Sequence, residues 1–462
     1  MAGWTSLKEL LKAELKEQEE CGKDISSVSL PDSEEAEKLN RAYDELMMLP
    51  MRKDYPYEEP DEYQDILAAS ESNAVEVITE ALLEKKIHAA WVGRAAGCAL
   101  GKPVERGEYM SGTPGYRGYE NVIRWFRGAD AYPIDYYTPS HSRAEEEGLR
   151  VHCEKSCREN IQFMESDDDV RYTVLGLRLM EEKGMDFTTW DVGKLWHRYL
   201  SYSQVCTAET QAYLNFAQVT SHINGWEPED AEEKLKYVRT FRNPYREWIG
   251  AQIRVDAYGY AAAGNPDLAA KMAYTDARLS HEKNGVYGAM FCAAMIAAAF
   301  TEKSLRSVIE CGLRTVPKRS RLYEAITDTL NTVHEGDDPE AVAKMLWDRY
   351  EHYDSVHTIN NAAVVAASLL LSGGDFEKGI TFAVLCGWDT DCNGATVGSI
   401  LGAFLGEIPE KWSSPLHDTM YAEVTGFDPI TFTELAHRCI EVRKKEYAVK
   451  LTFAGDMGFE VK

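Results

Sequence analysis

The chain has 462 residues, 44% hydrophobic and 27% charged, a globular composition with room for one large domain or two. Its net charge of −26 argues against sequence-independent binding to nucleic acid, whose backbone demands a positive surface. A phosphate-bearing small ligand stays open, because bound cations invert a local field.

Residues 1–85 are rich in Glu and Lys, and Leu7, Leu10, Leu11 and Leu15 recur at helical spacing. Such a stripe docks on the body of the protein or on a partner. The acidic stretch 51–64, with Pro56 and Pro60, reads as an extended strap. From Val75 to Leu100 the pattern is helical. An insert at 106–160 then brings Gly, Pro and aromatic residues (Tyr109, Tyr116, Tyr119, Trp125, Tyr132, Tyr136, Tyr137) with few periodic runs. It is either a binding loop that offers rings to a planar or sugar group, or a packed structural loop.

Beyond the insert, apolar periodicity predicts helices over 169–183, 190–203, 207–221, 229–240, 246–258, 266–279, 285–300, 302–314, 318–334, 339–351, 358–371, 376–386 and 392–405. One short strand is expected at Tyr447–Phe453. The fold class is therefore all-α: a helical arm over 1–85, a body over 86–410 and an extension over 411–462. No run approaches the roughly eighteen apolar residues of a membrane span, and the start lacks a signal-peptide core. The ten cysteines show no CxxC pair or regular spacing, which fits reduced structural thiols in a cytoplasmic protein. Nothing in the sequence sets an oligomeric state.

Two acidic clusters carry the chemistry: Ser166-Asp167-Asp168-Asp169 and Asp389-Thr390-Asp391, each at the start of an expected helix. Adjacent carboxylates repel unless a positive group lies between them, and a divalent cation with oxygen ligands is the usual one. Either cluster alone reads equally as helix capping. Both lie in a glycine-rich context. Gly93, Gly97 and Gly101 repeat every four residues, as do Gly394, Gly398 and Gly402. Each series leaves one helical face bare for close approach of another helix or a ligand. Gly101-Lys102-Pro103 ends the first of these helices and delivers Glu105 just beyond it. Ser280-His281 precedes an almost purely apolar helix, where a histidine is either structural or in reach of a ligand.

Gly93–Glu105, Ser166–Asp169, Ser280-His281 and Trp388–Asp391 occur in the order and approximate spacing of the ADP-ribosylglycohydrolase family, which this chain resembles over roughly residues 85–408. The resemblance implies an orthogonal all-α bundle with a magnesium or manganese centre of two ions. It implies metal ligation by Ser166, Asp167, Asp168, Asp389 and Asp391, and substrate contacts from Glu105, His281, Gly101 and Asn393. The catalytic candidates are Glu105, Asp168 and Asp389. Two positions depart from the family pattern. Cys392 stands where Thr or Ser is usual, and a thiol is a poor ligand for a hard cation. Cys98 stands where the family commonly has Asp.

The resemblance implies a metal-dependent glycoside hydrolase that opens a ribosyl C1 bond, N- or O-glycosidic, in an ADP-ribosylated protein or small molecule. The alternatives are a hydrolase of furanosides or nucleoside-type glycosides lacking ADP, and a noncatalytic ligand-binding relative. No nucleic-acid or membrane partner is expected.

Overall fold

The computed structural model describes residues 3–220 and 226–456. Within them the secondary structure is helical, and β pairing is confined to isolated bridges such as Trp248 with His357 and Met164 with Met420. The all-α expectation holds.

The centre of the bundle is one helix pair. The Glu80–Gly101 helix and the Thr390–Leu405 helix run antiparallel, so the two glycine series face each other. Gly93 meets Gly398, Gly97 meets Gly394, and Gly101 meets the Thr390 carbonyl. A Cβ on any of the six series glycines would fall under 3.0 Å from the partner backbone. Helices in ordinary packing stand 8–10 Å apart, and the missing side chains allow these two to come closer. Around the pair lie Lys283–Ala299 and Thr358–Ser372, both apolar and buried on every side.

Most helix ends fall where capping chemistry puts them. Ser304, Ser320, Asp338 and Asp375 each accept a first-turn backbone N–H. Two expectations fail. Residues 246–258 do not form one helix: a 3₁₀ stretch covers Ile249–Arg254 and an α-helix begins only at Asp256. The backbone there is drawn into pairing with the start of another helix, since Ile249 N–H donates to the Val356 carbonyl and Thr358 N–H to that of Glu247. The strand expected at Tyr447–Phe453 is instead part of the Phe432–Asp456 helix. A period-2 run without a strand beside it has nothing to pair with, and the helix continues through it.

The insert is packed rather than open. It contains a helix at Gly118–Gly128, and Tyr109, Tyr119, Trp125 and Tyr137 are buried. Trp125 Nε1 donates to the Pro139 carbonyl at 3.0 Å, and Tyr137 Oη donates to that of Trp412 at 2.5 Å. Its rings therefore build core, and the ring-presenting alternative does not hold for these four.

The arm meets the body, but its leucine stripe, expected to dock there or on a partner, packs within the arm instead. Leu10 and Leu11 of the Leu7–Glu20 helix pack with Leu39, Tyr43 and Leu46 of a second arm helix. The same helix also makes ionic contacts with the body: Arg246 grips Glu14 through two N–H···O contacts of 2.7 and 3.1 Å. The strap adds Glu59, held by Arg321 at 2.8 Å.

Candidate active site

The close helix pair brings the second acidic cluster to the end of the first glycine helix. Thr390 Oγ1 donates to the Gly101 carbonyl at 3.0 Å, so Asp389 and Asp391 stand beside the turn that carries Lys102 and Glu105. Asp389 is delivered by a backbone under strain. Trp388 sits at φ +57, a left-handed conformation that a bulky residue rarely adopts. Stacking of its indole on Trp347, with centroids 4.7 Å apart, and a 3.3 Å N–H···O bond to the Tyr109 carbonyl hold it there. Strain of this kind persists only where the surroundings over-determine it, and it concentrates at functional sites.

The first acidic cluster is tied to the same helix by two buried cations. Arg94 donates to Asp169 Oδ1 at 2.8 Å and to its carbonyl at 3.0 Å, and it pairs with Asp256 at 3.0 Å. Lys102 Nζ lies 2.9 Å from Asp167 Oδ2 and also donates to the Ser166 carbonyl. Asp167 caps the Asp168–Lys183 helix through Asp169 N–H. One carboxylate thus caps the helix and pairs with Lys102.

The donor atoms converge. Those of Asp389, Asp391 and Cys392 lie within 4.8 Å of one another, as do those of Cys98, Asp167, Asp169 and Asp391. Asp391 is common to both groups. Asp389 Oδ1, Asp391 Oδ1, Asp169 Oδ2 and Asn393 Oδ1 are buried with no hydrogen-bond partner. Buried carboxylate oxygens without a partner are costly, and a hard cation is the group that fits several of them at once. The carboxylates present therefore suit magnesium or manganese; the Cys392 and Cys98 thiols suit them poorly.

Electrostatics record the crowding. Burial, then the Glu105 and Asp167 charges, pushes the Asp391 carboxyl well above the usual range. Burial and Asp167 raise Asp168, which is half-buried, to about 7. Asp167 goes the other way, down to about 2, because Lys102 outweighs its burial. Glu105 is half-buried and lifted well above an ordinary glutamate, first by burial and then by Asp389 and Asp167. Its protonated form is therefore favoured.

The remaining sequence candidates divide. Asn393 is at the site: its Nδ2 donates to Asn361 Oδ1 at 2.7 Å, and Asp389 N–H donates to the same oxygen at 3.3 Å. Gly101 is the close-packed end of the first helix. Ser166 Oγ accepts from Arg171 at 2.7 Å. His281 lies in a different polar cluster. Its Nδ1 is 2.8 Å from Ser280 Oγ and its Nε2 3.9 Å from Glu209, and burial with Arg254 nearby pushes its pKa well down. No hydrogen bond or ion pair joins it to the aspartates among the described residues. Sequence reasoning missed Arg94, Lys102, Asp256 and Asn361. Arg94 was the findable one, since an arginine between Gly93 and Gly97 on an apolar helix needs a buried acid.

The model of the ADP-ribosylglycohydrolase family matches residues 79–448, and the chain belongs to that family. An uncharacterized protein of Archaeoglobus fulgidus is 27% identical over 209 residues, which cover 45% of this chain and 62% of the relative. The matched region thus spans less than two thirds of that relative's length. A solved structure described as an ADP-ribosylglycohydrolase-related protein complex is 19% identical, covering 79% of this chain and 99% of its own, with a TM-score of 0.44. No described helix is long and apolar enough to cross a membrane.

Proposed function

We propose that the chain is a metal-dependent glycoside hydrolase that cleaves a ribosyl C1 linkage and releases ADP-ribose from a modified protein or small molecule. The observation that carries this reading is the convergence of Glu105, Asp168, Asp389 and Asp391 at one end of the glycine seam, with buried carboxylate oxygens left unpartnered. Asp389 and Asp391 would hold magnesium or manganese, with Asp168 beside them. Such an ion supplies positive charge that polarises bound oxygen and grips the ribose hydroxyls.

The protein's own residues account for the proton transfers. Glu105, whose protonated form burial and Asp389 favour, donates to the departing aglycone atom as its bond to C1 breaks. A water oxygen bonds to C1 as the oxocarbenium-like state collapses, and its proton passes to a carboxylate, with Asp168 or Asp389 in place to take it. Asn361 fixes Asp389 and Asn393 together, so the acceptor stays aligned.

The second reading keeps the chemistry but drops ADP from the substrate. It is favoured by Cys98, whose thiol lies in the donor group of Asp167, Asp169 and Asp391. Parallel assays on ADP-ribosylated peptide and on simple ribofuranosides, each with manganese, separate the two. Release from the peptide alone supports ADP recognition. Turnover of the simple furanosides alone moves the assignment to the second reading.

A further inference from the structure

The two halves of the acidic site are unequal. In the first cluster every side-chain oxygen of Ser166 and Asp167 already has a partner from the chain, whereas Asp169 Oδ2 has none. Ser166 Oγ accepts from Arg171 at 2.7 Å, Asp167 Oδ1 from Asp169 N–H at 3.1 Å, and Asp167 Oδ2 pairs with Lys102 Nζ at 2.9 Å. In the other half Asp389 Oδ1 and Asp391 Oδ1 are buried and unpartnered.

Lys102 is no surface side chain that strayed inward. It is 7% exposed. Gly101 before it is pressed against Thr390, and Pro103 follows it, so its backbone cannot withdraw. Its ammonium also donates to the Ser166 carbonyl, which aims it at the acidic turn. A divalent ion seated on Asp167 would stand against this ammonium, and charges of one sign that close repel strongly where water is excluded. Cys98 lies in the same donor group as Asp167, and its thiol is a poor ligand for a hard cation.

We infer that Lys102 is a built-in cation that takes the place of one metal, so that the chain binds a single divalent ion, on the Asp389–Asp391 half. This rests on the reading of the cluster as a metal centre. Lys102 acts here as a positioning residue: it neutralises Asp167 and holds the cap of the Asp168–Lys183 helix without needing an ion.

Manganese titration of the full chain, followed by the paramagnetic resonance of the free ion, counts the bound ions directly. The wild type is expected to bind one, and Asp391→Asn none. Lys102→Met is expected to bind two, while Lys102→Arg, which keeps the charge, stays at one. Thermal melting of each variant verifies folding. Two ions on the wild type, or a folded Lys102→Met that stays at one, overturn the inference and leave the metal-centre reading standing. No ion on either the wild type or Lys102→Met overturns both. Should Lys102→Met fail to fold, the wild-type count decides, one ion supporting the inference and two defeating it.

Discussion

Gly97 and Gly394 face each other across the central helix pair so closely that neither position can carry a side chain. Each would aim a Cβ at the other's carbonyl group, which is backbone and cannot swing aside. Gly97→Ala should therefore cost about 3 kcal/mol or more, at the upper end for overpacking, by forcing the helices apart. Gly107, which has open space around its Cβ position, is the control. Urea unfolding of Gly97→Ala and Gly107→Ala should show a large loss for the first and a small change for the second.

Arg94 ties the first acidic cluster to this pair, bridging Asp169 at 2.8 Å and Asp256 at 3.0 Å with all three side chains fully buried. Removing one partner of a buried pair leaves charge without compensation, at a cost of roughly 3–5 kcal/mol. Arg94→Met should lose that much in denaturant unfolding. A loss of only a few tenths would mean that the aspartates shed their charge without needing the guanidinium.

The glycine series were legible in the sequence because a spacing of four marks one helical face whatever lies opposite. That the two series pair with each other was not, since nothing local in 93–101 names a partner at 390–402. The acidic residues were visible for their type and order. Lys102 and Asn361 were not, because a lysine at a helix end and an asparagine in an alanine-rich helix have many ordinary roles. The helix expected over 246–258 failed for a tertiary reason: hydrogen bonds from Ile249 and Thr358 claimed the backbone. His281 bonds to Ser280 through Nδ1 and leaves its buried Nε2 without a hydrogen-bond partner, a placement that motif order alone does not give.

The buried acids of the arm, together with Asp168 in the site, should make stability fall as pH rises. Burial lifts Glu17 to about 8 and Glu20 to about 7, from an unfolded value of 4.5. Between those values the folded chain holds more protons than the unfolded chain, so stability drops as pH rises. His357, lowered to about 3 by burial, acts oppositely but only below its unfolded value of 6.5. In metal-free buffer the melting temperature should therefore fall from about pH 6.5 to 8, and Glu17→Gln should flatten the slope. An unchanged slope in that variant would locate the effect elsewhere.

Metal should stabilise the fold through the second cluster. Manganese at a hundredfold excess over its dissociation constant should add about 2.7 kcal/mol, seen as a rise in melting temperature. The Asp389→Ala, Asp391→Ala double variant should show no rise. An equal rise in both would place the ion outside this site.

The measurement closest to the central claim is release of free ADP-ribose from ADP-ribosylated arginine, serine and acetyl-ester substrates, with manganese or with chelator. The account predicts release that requires the metal and falls by about a hundredfold or more in Asp389→Ala, the scale of losing a main electrostatic group at a reacting centre. Release that survives chelation, or that Asp389→Ala performs as well as the wild type, would contradict it.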